Sequence, residues 1–462
     1  MGNGEQAVFH KESTGILLVY NLCRGCSKTR NAFPGRAEAH GRDFAPRRRV
    51  FHQLSIFLLL LFCLGEFSSK IAKRSCLNEG LEKENLPVRI AIVSAWYVYS
   101  GGAEWVDHVL GQIFPQADLF TLFSAEDKVP ESLRGRPVQR SFLHRIPTMN
   151  KSYRLFMPLC PYAIESFDLR GYDVVISSDH GAAKGVLCEQ DTLHICYCHT
   201  PWRQLYDLYW KSLSLVPAPL RPAYRWSTHY LRQWDYLAAQ RPDRLIANSK
   251  HIEQRIRKYY HRDSDVIYPP VDTCKGYIAD RHDDYYLSVG RVVHAKRLDL
   301  LIEACNRLRR RLLIVGEGPE VQRLKSIAGP TVEFHGRVSD DCLRVLYAEC
   351  RALLFAADED FGIVPVEAQS YGRPVIAYGH GGALETVRVA DPRGRSDTGV
   401  LFSRQTVESV IEGIQEFELR EKEFSPKDIL NHARIFDISV FEKKFLELVE
   451  RSMQDKKCAQ YV

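Results

Sequence analysis

The sequence predicts an α/β protein built from two doubly wound, Rossmann-like parallel-sheet domains. Three observations lead to this prediction. Short apolar segments rich in Val and Ile alternate with longer segments of helical periodicity. A break that contains Pro269 and Pro270 divides this alternation into two similar halves. The length of 462 residues and the apolar content of 45% suit two domains with well-filled cores.

Residues 1–86 are predicted to be a leader outside the folded domains, because Gly, Ser, Arg and His are mixed there without periodicity. Residues 54–64 form an apolar run that only Ser55 interrupts, and three arginines precede it. The run is shorter than the roughly 20 residues of a membrane span, and it begins too late for an ordinary signal peptide. A disordered leader is the first interpretation, and a marginal membrane anchor or a targeting signal are the alternatives.

The charge of the chain argues against nucleic acid as a partner. The net charge is +6, but residues 1–75 alone carry 12 Lys/Arg and 5 Asp/Glu, which leaves 51 and 52 in residues 76–462. The body is therefore nearly neutral and has no overall attraction for a polyanion. The 13 cysteines are scattered, and the CxxC pair Cys23 and Cys26 has no second pair at zinc-site spacing. Buried free thiols, no bound metal and a cytoplasmic location follow as expectations.

Residues 87–267 are predicted to form the amino-terminal domain. Apolar segments with the composition of buried parallel strands occur at 88–95, 117–123, 172–177, 193–198 and 244–248. Helical periodicity follows the first of these strands after Gly101 and Gly102. Ser249 is the predicted N-cap of a helix that runs to Tyr260.

Residues 268–280 are predicted to be a linker, and residues 281–425 a second domain of the same kind. The predicted strands of this domain are 285–289, 311–315, 332–334, 352–356 and 374–377, with a helix over 298–308. Residues 426–455 are helical in pattern, and we expect them to pack back toward the amino-terminal domain.

Chemistry-bearing residues concentrate between Glu359 and Glu367, directly after a predicted apolar strand. On one continuous helix these glutamates, eight positions apart, would be separated by about 2.2 turns and roughly 12 Å. That separation would place one carboxylate at each end of an elongated ligand. Gly362 allows close backbone approach at the predicted helix start, where free N–H groups favour an anion or a hydroxyl-rich ligand.

This segment resembles the E-x7-E motif of the retaining glycosyltransferases of family 4, which have the GT-B fold. Over residues 87–455, further segments resemble that family in the same order: N-S at 248–249, P-P-V-D at 269–272, G-R and K-R within 290–297, G-E-G-P at 316–319 and G-G-x-x-E at 381–385. The resemblance implies two Rossmann-like domains that face a cleft. Residues 197–203 are most similar to bacterial mannosyltransferases of surface-polysaccharide (O-antigen) assembly.

The resemblance also implies where a nucleoside diphosphate sugar binds. Arg291 and Lys296 would hold the diphosphate, since a planar guanidinium fork and a mobile ammonium both suit phosphate oxygens. Gly101 and Gly102 would face the diphosphate from the other domain.

Roles for the remaining site residues follow from the same resemblance. Glu359 is assigned to hydroxyls of the donor sugar and Glu367 to the ribose. His199 would hydrogen-bond the donor sugar or the departing phosphate. The donor-binding segment between the glutamates is completed by Phe361, Gly362 and Ile363.

Two further patterns bear on metal binding and on the acceptor. The D-x-D triplets at 263–265 and 358–360 resemble a metal motif of another fold, but GT-B enzymes of this kind usually need no bound metal. The aromatic-rich stretch 202–234 is interpreted as an amphipathic helical insertion packed on the core. A surface that meets a lipid-linked acceptor is the alternative.

The predicted function is retaining transfer of a hexose, mannose from GDP-mannose, to a hydroxyl of a glycan or of a lipid-linked oligosaccharide. Peripheral contact with the cytoplasmic face of a membrane is a further expectation, and no cofactor besides the substrates is expected. Two alternatives come from other classes of protein: a GT-B-like nucleotide-sugar epimerase, and a non-catalytic protein that binds sugar nucleotides.

Overall fold

The computed structural model describes residues 88–99, 101–147, 149–389 and 396–460, and these residues form two parallel β-sheets covered by helices. The predicted α/β fold class is therefore confirmed. The leader, with its apolar run at 54–64, lies outside the described residues.

The first sheet has seven strands in the order β3-β2-β1-β4-β5-β6-β7, and every neighbouring pair is parallel. Its strands are β1 (Ile90–Tyr97), β2 (Asp118–Ser124), β3 (Val138–Arg140), β4 (Val174–Asp179), β5 (Leu193–Cys198), β6 (Arg244–Ala247) and β7 (Asp265–Val266). The helices of this part are α1 (Gly102–Ile113), α2 (Met149–Ser152), α3 (Cys160–Glu165), α4 (Tyr209–Leu215), α5 (Arg221–Ala238) and α6 (Lys250–Tyr260).

The second sheet has six parallel strands in the order β10-β9-β8-β11-β12-β13. Its strands are β8 (Tyr286–Val289), β9 (Leu312–Val315), β10 (Val332–Gly336), β11 (Ala352–Phe355), β12 (Val375–Tyr378) and β13 (Gly399–Phe402). The helices are α7 (Leu298–Leu308), α8 (Val321–Lys325), α9 (Asp340–Glu349), α10 (Ile363–Ser370), α11 (Ala383–Thr386), α12 (Val407–Arg420), α13 (Pro426–Ala433) and α14 (Ile438–Gln460).

Each sheet is buried on both faces, because each face carries its own apolar cluster under a layer of helices. The last helix, α14, contributes to the cluster on one face of the first sheet through Phe441 and Phe445. A single β-bridge between Val271 and Asp437 joins the connection between the sheets to the start of that helix. The chain therefore returns to the first sheet after completing the second.

A fully buried ammonium group stabilises the loop that follows β4. Lys184 Nζ lies 2.9 Å from Asp179 Oδ2 and 2.6 Å from Asp235 Oδ1, and it also donates to the Gly181 carbonyl at 2.8 Å. All three charged side chains are completely excluded from solvent. Removing the lysine would leave two buried carboxylates without a counter-ion, so this cluster fixes the loop after β4 against α5.

Every strand that the periodicity predicts is present, with ends that shift by one or two residues. Ser249 is the N-cap of α6 as predicted: its hydroxyl accepts from the Ile252 backbone N–H. Three strands at sheet edges were missed: β3 and β7 are only three and two residues long, and β13 begins at a glycine, which is typical of a turn. Within the described part of the chain, no helix combines the length and apolarity that crossing a membrane requires.

Candidate active site

The predicted site residues follow the carboxyl ends of parallel strands, which is where ligands bind in doubly wound sheets. Gly101 and Gly102 follow β1 and His199 follows β5, whereas Arg291 follows β8 and Glu359 follows β11. A cleft of about 400 Å³ opens between α1 of the first domain and α9 and α10 of the second. It is lined by Gly101, Gly102, Trp105, Val271, Asp272, Lys275, Asp340, Leu343, Arg344, Tyr347, Ile363, Val364, Glu367, Ser370 and Tyr371.

Gly102 is a point of close approach between the two domains. A Cβ atom on Gly102 would lie 3.1 Å from Cδ1 of Ile363, the first residue of α10. The N-terminal ends of α1 and α10 therefore meet at the cleft, and both present free backbone N–H groups there. Two helix N-termini at one place favour an anionic or hydroxyl-rich ligand.

Lys296 and Glu359 form an ion pair at the carboxyl ends of β8 and β11, and Lys296 lines a second, smaller pocket together with Arg291. The Lys296 ammonium also lies 5.6 Å from the centre of the Phe355 ring. Arg291 is exposed, its guanidinium lies 5.3 Å from the centre of the Tyr99 ring, and no described carboxylate is within ion-pair distance of it. Arg291 is thus a cation that remains available to an anionic ligand.

The two glutamates of the motif do not share one helix, so that interpretation was wrong. Gly362 has a φ of +88°, which favours glycine, and α10 begins only at Ile363. Glu359 therefore lies in the preceding loop beside Lys296. Glu367 lies within α10, where it accepts a 2.7 Å hydrogen bond from the Tyr347 hydroxyl, and burial raises the pKa of its carboxyl.

Phe361 and Ile363 lie in different environments. The Phe361 ring is buried, with the centres of the Tyr268 and Phe436 rings at 5.6 Å and 5.4 Å. Phe361 therefore packs the connection between the domains, whereas Ile363 lines the cleft. Of the residues between the glutamates, Ile363 and Val364 contribute the side chains that a ligand in the cleft can reach.

His199 is a buried, neutral imidazole. Its Nε2 lies 2.9 Å from the Ser178 hydroxyl, and its ring packs edge-on to Tyr197. Burial, reinforced by the nearby His180, lowers the pKa of His199 to about 3. Near neutral pH the ring therefore acts as a hydrogen-bond donor or acceptor rather than as a cation.

His180 is a site candidate that the sequence analysis missed. It follows β4, next to His199, with 6.3 Å between the two ring centres, and it packs edge-on to Trp96 at 4.9 Å. Its Nδ1 is buried, and no described group bonds it. Burial lowers its pKa as well. The tetrapeptide Ser-Ser-Asp-His at the end of the predicted strand was the available signal, because polar residues there end at the cleft.

Two carboxyl groups on α1 were also missed. Asp107 is fully buried, and it accepts hydrogen bonds from Ser94 Oγ at 2.5 Å and from Tyr97 OH at 3.0 Å. Burial raises the pKa of Asp107 to about 6. Burial also raises the pKa of Glu104, at the start of α1, to about 7, although Arg291 acts in the opposite direction. Helical spacing in the sequence gave no sign that these acids would be desolvated.

The loop before α10 is held by residues of the other domain. Ser249 Oγ donates to the Asp360 carbonyl at 2.6 Å, and Arg255 Nη1 lies 2.9 Å from Asp360 Oδ1. From the second domain, the Glu385 carboxylate accepts from the backbone N–H groups of Lys250 and His251, each at 2.9 Å. The G-G-x-x-E segment therefore caps α6 and ties the two halves of the cleft together.

The acidic triplet at 358–360 is engaged within the protein. Asp358 Oδ1 lies 2.8 Å from His380 Nδ1, Glu359 pairs with Lys296, and Asp360 pairs with Arg255. Across the described ranges, no group of three or more His, Cys, Asp or Glu side chains is arranged to hold a metal ion. Whether the reaction needs a metal stays a prediction.

Two family models match the chain, one for each half of the cleft. Residues 101–275 match the model described as Glycosyltransferase Family 4, and residues 277–433 match the model described as Glycosyl transferases group 1. The boundary between the matches falls in the connection that the two prolines mark.

Curated relatives are similar at low identity. The chain is 25% identical over 247 residues to alpha-1,3/1,6-mannosyltransferase ALG2 of Candida glabrata, covering 41% of this chain and 52% of that protein. It is 34% identical over 102 residues to O-antigen chain mannosyltransferase C of Escherichia coli, covering 21% of this chain and 28% of that protein. The chain thus spans about half the length of the first relative and less of the second.

A solved structure shows the same fold. The crystal structure of Anabaena HepE in complex with UDP and glucose superposes with a TM-score of 0.58 at 18% identity, covering 79% of this chain and 100% of that one. Together with the two family matches, this similarity identifies the paired parallel sheets as a GT-B fold. The chain belongs to the glycosyltransferases that join a Family 4 domain to a group 1 domain.

Proposed function

We propose that the protein is a retaining glycosyltransferase that moves mannose from GDP-mannose to a hydroxyl of a glycan or of a lipid-linked oligosaccharide. One observation carries this proposal. Arg291 and Lys296 line one small pocket, Lys296 pairs there with Glu359, and the available Arg291 guanidinium lies against Tyr99, just before Gly101 and Gly102. Cations, a carboxylate and free helix N-termini together match a diphosphate that is joined to a sugar.

In this proposal the donor reorganises the ion pair. A bound nucleoside diphosphate carries about two negative charges, which Arg291 and Lys296 neutralise while the N-terminus of α1 adds backbone N–H donors. Lys296 then shares its protons between phosphate oxygens and the Glu359 carboxylate. Glu359 turns part of its hydrogen-bonding capacity to the sugar hydroxyls, and Glu367 receives the ribose.

The transfer itself needs no covalent enzyme intermediate. The bond between the anomeric carbon and the diphosphate oxygen breaks, and the acceptor hydroxyl bonds to the same face of that carbon. A phosphate oxygen takes the proton of the acceptor. Arg291 and Lys296 stabilise the charge that grows on the leaving oxygen, and Glu359 stabilises the positive charge on the ring. His199, as a neutral imidazole, orients the sugar or the leaving phosphate.

Two findings support the finer parts of the proposal. The relatives named above are mannosyltransferases, which favours mannose as the sugar. Nine described cysteines are free thiols, five of them buried, which suits the reducing conditions of the cytoplasm. A lipid-linked acceptor would bring the protein to the cytoplasmic face of a membrane.

Calorimetric titration of the protein with UDP-, GDP- and ADP-sugars tests the donor. We expect heat from GDP-mannose, and loss of that heat in the Lys296→Ala variant. Release of free GDP only when an oligosaccharide acceptor is added would support transfer. Turnover of the sugar nucleotide without acceptor would instead identify an epimerase, and binding without any turnover would identify a non-catalytic binding protein.

A further inference from the structure

Helix α5 has an apolar stripe on the side that faces away from the protein. Its inner face is the ordinary one: Leu231 and Trp234 are buried against the core of the first domain. On the opposite side, Trp226 is 71% exposed, Tyr230 40% and Leu237 61%. A helix that meets only water carries polar residues there, so a second apolar stripe points to a further environment.

The neighbouring helix and turn extend the same surface. Trp210 and Leu215 on α4 are 73% and 79% exposed, and Leu220 in the turn between the helices is 59% exposed. The rings of Trp226 and Tyr230 stack with their centres 6.3 Å apart, which gives the stripe a flat aromatic centre. We call this surface the aromatic hairpin and define it as residues 208–238.

The charge of the aromatic hairpin selects the kind of partner. Residues 208–234 contain four Lys/Arg and no Asp or Glu. Lys211 and Arg225 are exposed, whereas the next acid in the chain, Asp235, is buried in its pair with Lys184. The hairpin therefore combines exposed aromatic and aliphatic side chains with cations and has no exposed acid. This combination complements a membrane surface, in which anionic headgroups cover an apolar interior.

We propose that the aromatic hairpin docks onto an anionic phospholipid bilayer, with the outer stripe of α5 lying in the interface plane. Trp and Tyr rings favour the level of the lipid headgroups, where one edge is apolar and the other is hydrated. Lys211 and Arg225 meet the headgroup phosphates. This inference concerns a surface away from the cleft and does not depend on the proposed transfer reaction.

Co-sedimentation of the full chain with lipid vesicles tests the inference. The vesicles are phosphatidylcholine alone, or equal parts phosphatidylcholine and phosphatidylserine. We expect binding to the mixed vesicles that exceeds binding to phosphatidylcholine and that falls as salt is raised. The Lys211→Gln and Arg225→Gln variants should each weaken binding to mixed vesicles roughly fivefold.

The apolar part is tested by the triple variant Trp210→Gln, Trp226→Gln and Leu237→Gln, in which only exposed side chains change. Its binding should fall at least about tenfold. The matched control, Leu419→Gln with Ile435→Gln, removes exposed apolar groups elsewhere and should bind as the wild type does. The leader is present in every variant, so it cannot produce these differences.

Three outcomes would overturn the inference. Equal binding of the wild type to both kinds of vesicle would show that anionic lipid is not what the aromatic hairpin recognises. Unchanged binding of the triple variant would assign membrane contact to another segment. Self-association of the wild type, lost in the triple variant without any vesicle binding, would make a second copy of the chain the occupant. Donor calorimetry on the same variants stays unchanged, which separates this test from that of the transferase.

Discussion

The guanidinium of Arg255, on α6 of the first domain, lies 2.9 Å from the carboxylate of Asp360, which stands between Glu359 and the start of α10. The contact is largely shielded from water, and Arg203 lies at 3.9 Å from the same carboxylate oxygen. The loop that carries Glu359 is therefore positioned by the opposite domain. The geometry of the donor site and the closure of the cleft are physically linked.

Breaking this link should cost stability and donor affinity together. Asp360→Asn removes one of the two carboxylates that pair with Arg255, the other being Asp207, and we expect a loss of roughly 1–3 kcal/mol in the free energy of unfolding. Urea unfolding of Asp360→Asn, Arg255→Met and the double variant measures this loss. If the pair is coupled, the double variant should lose less than the sum of the single variants. Strict additivity would show that the two residues act independently.

Lys296→Ala should slow turnover strongly while leaving the fold intact. Lys296 is the ammonium beside Glu359, and loss of one charge contact to the reacting diphosphate costs roughly 2–4 kcal/mol of transition-state stabilisation. Steady-state kinetics with circular dichroism as the fold check would measure this. Lys325→Ala, an exposed lysine on α8, is the control. Wild-type turnover in Lys296→Ala would contradict the assignment.

Substitutions of the two motif glutamates, Glu359 and Glu367, should have different kinetic effects. Glu367 is assigned to the ribose, which does not change during the reaction, so Glu367→Gln should mainly raise KM for the donor. Glu359 is assigned to a sugar that becomes positively charged, so Glu359→Gln should lower kcat more than it raises KM. Initial rates over a range of donor concentrations separate these effects. Matching defects in both variants would reject the division of roles.

Because of Asp107, the free energy of unfolding should decrease as the pH rises from about 4 to about 6. Burial raises its pKa from 3.8 to about 6, so in this window the folded state holds a proton that the unfolded state has lost. Stability falls as pH rises wherever the folded state binds more protons than the unfolded state. The difference between the folded and unfolded pKa of Asp107 corresponds to about 3 kcal/mol. The decline ends above about pH 6, where both states are ionised.

The Asp107→Asn variant tests this assignment, because the amide oxygen can still accept from Ser94 and Tyr97 while the titration is removed. Urea unfolding of both proteins at several pH values between 4 and 7 gives the comparison. The variant should show a flatter dependence than the wild type across that window. Parallel curves would assign the pH dependence to other groups.

Much of the fold could be predicted because buried parallel strands leave a strong apolar signal and because Ser249 marks a helix start. The edge strand β13 was missed, because it is short and begins at Gly399, a residue type that usually marks a turn. The placement of Glu359 and Glu367 on one helix failed for a local reason: the left-handed backbone of Gly362 delays the start of α10.

The candidate site was harder to predict than the fold. Arg291 and Lys296 follow a strand end, so their neighbourhood could be anticipated from the order of elements. His180 also follows a predicted strand, so its place could have been anticipated, although its burial could not. Asp107 and Arg255 could not be anticipated, because their importance arises from burial and from partners on other elements. Periodicity reports which face of an element is apolar, but it does not report which polar group on that face loses its water.

Chemical modification of the buried Lys184 ammonium group can be used to detect local unfolding of the first domain. Acylating reagents modify uncharged amines that water can reach, and in the folded protein this amine is fully enclosed and held between Asp179 and Asp235. Burial alone would lower the pKa of Lys184, but the adjacent Asp179 and Asp235 carboxylates hold that pKa above its usual range. Lys184 is therefore a natural chemical label whose modification records each time that the loop after β4 and α5 come apart.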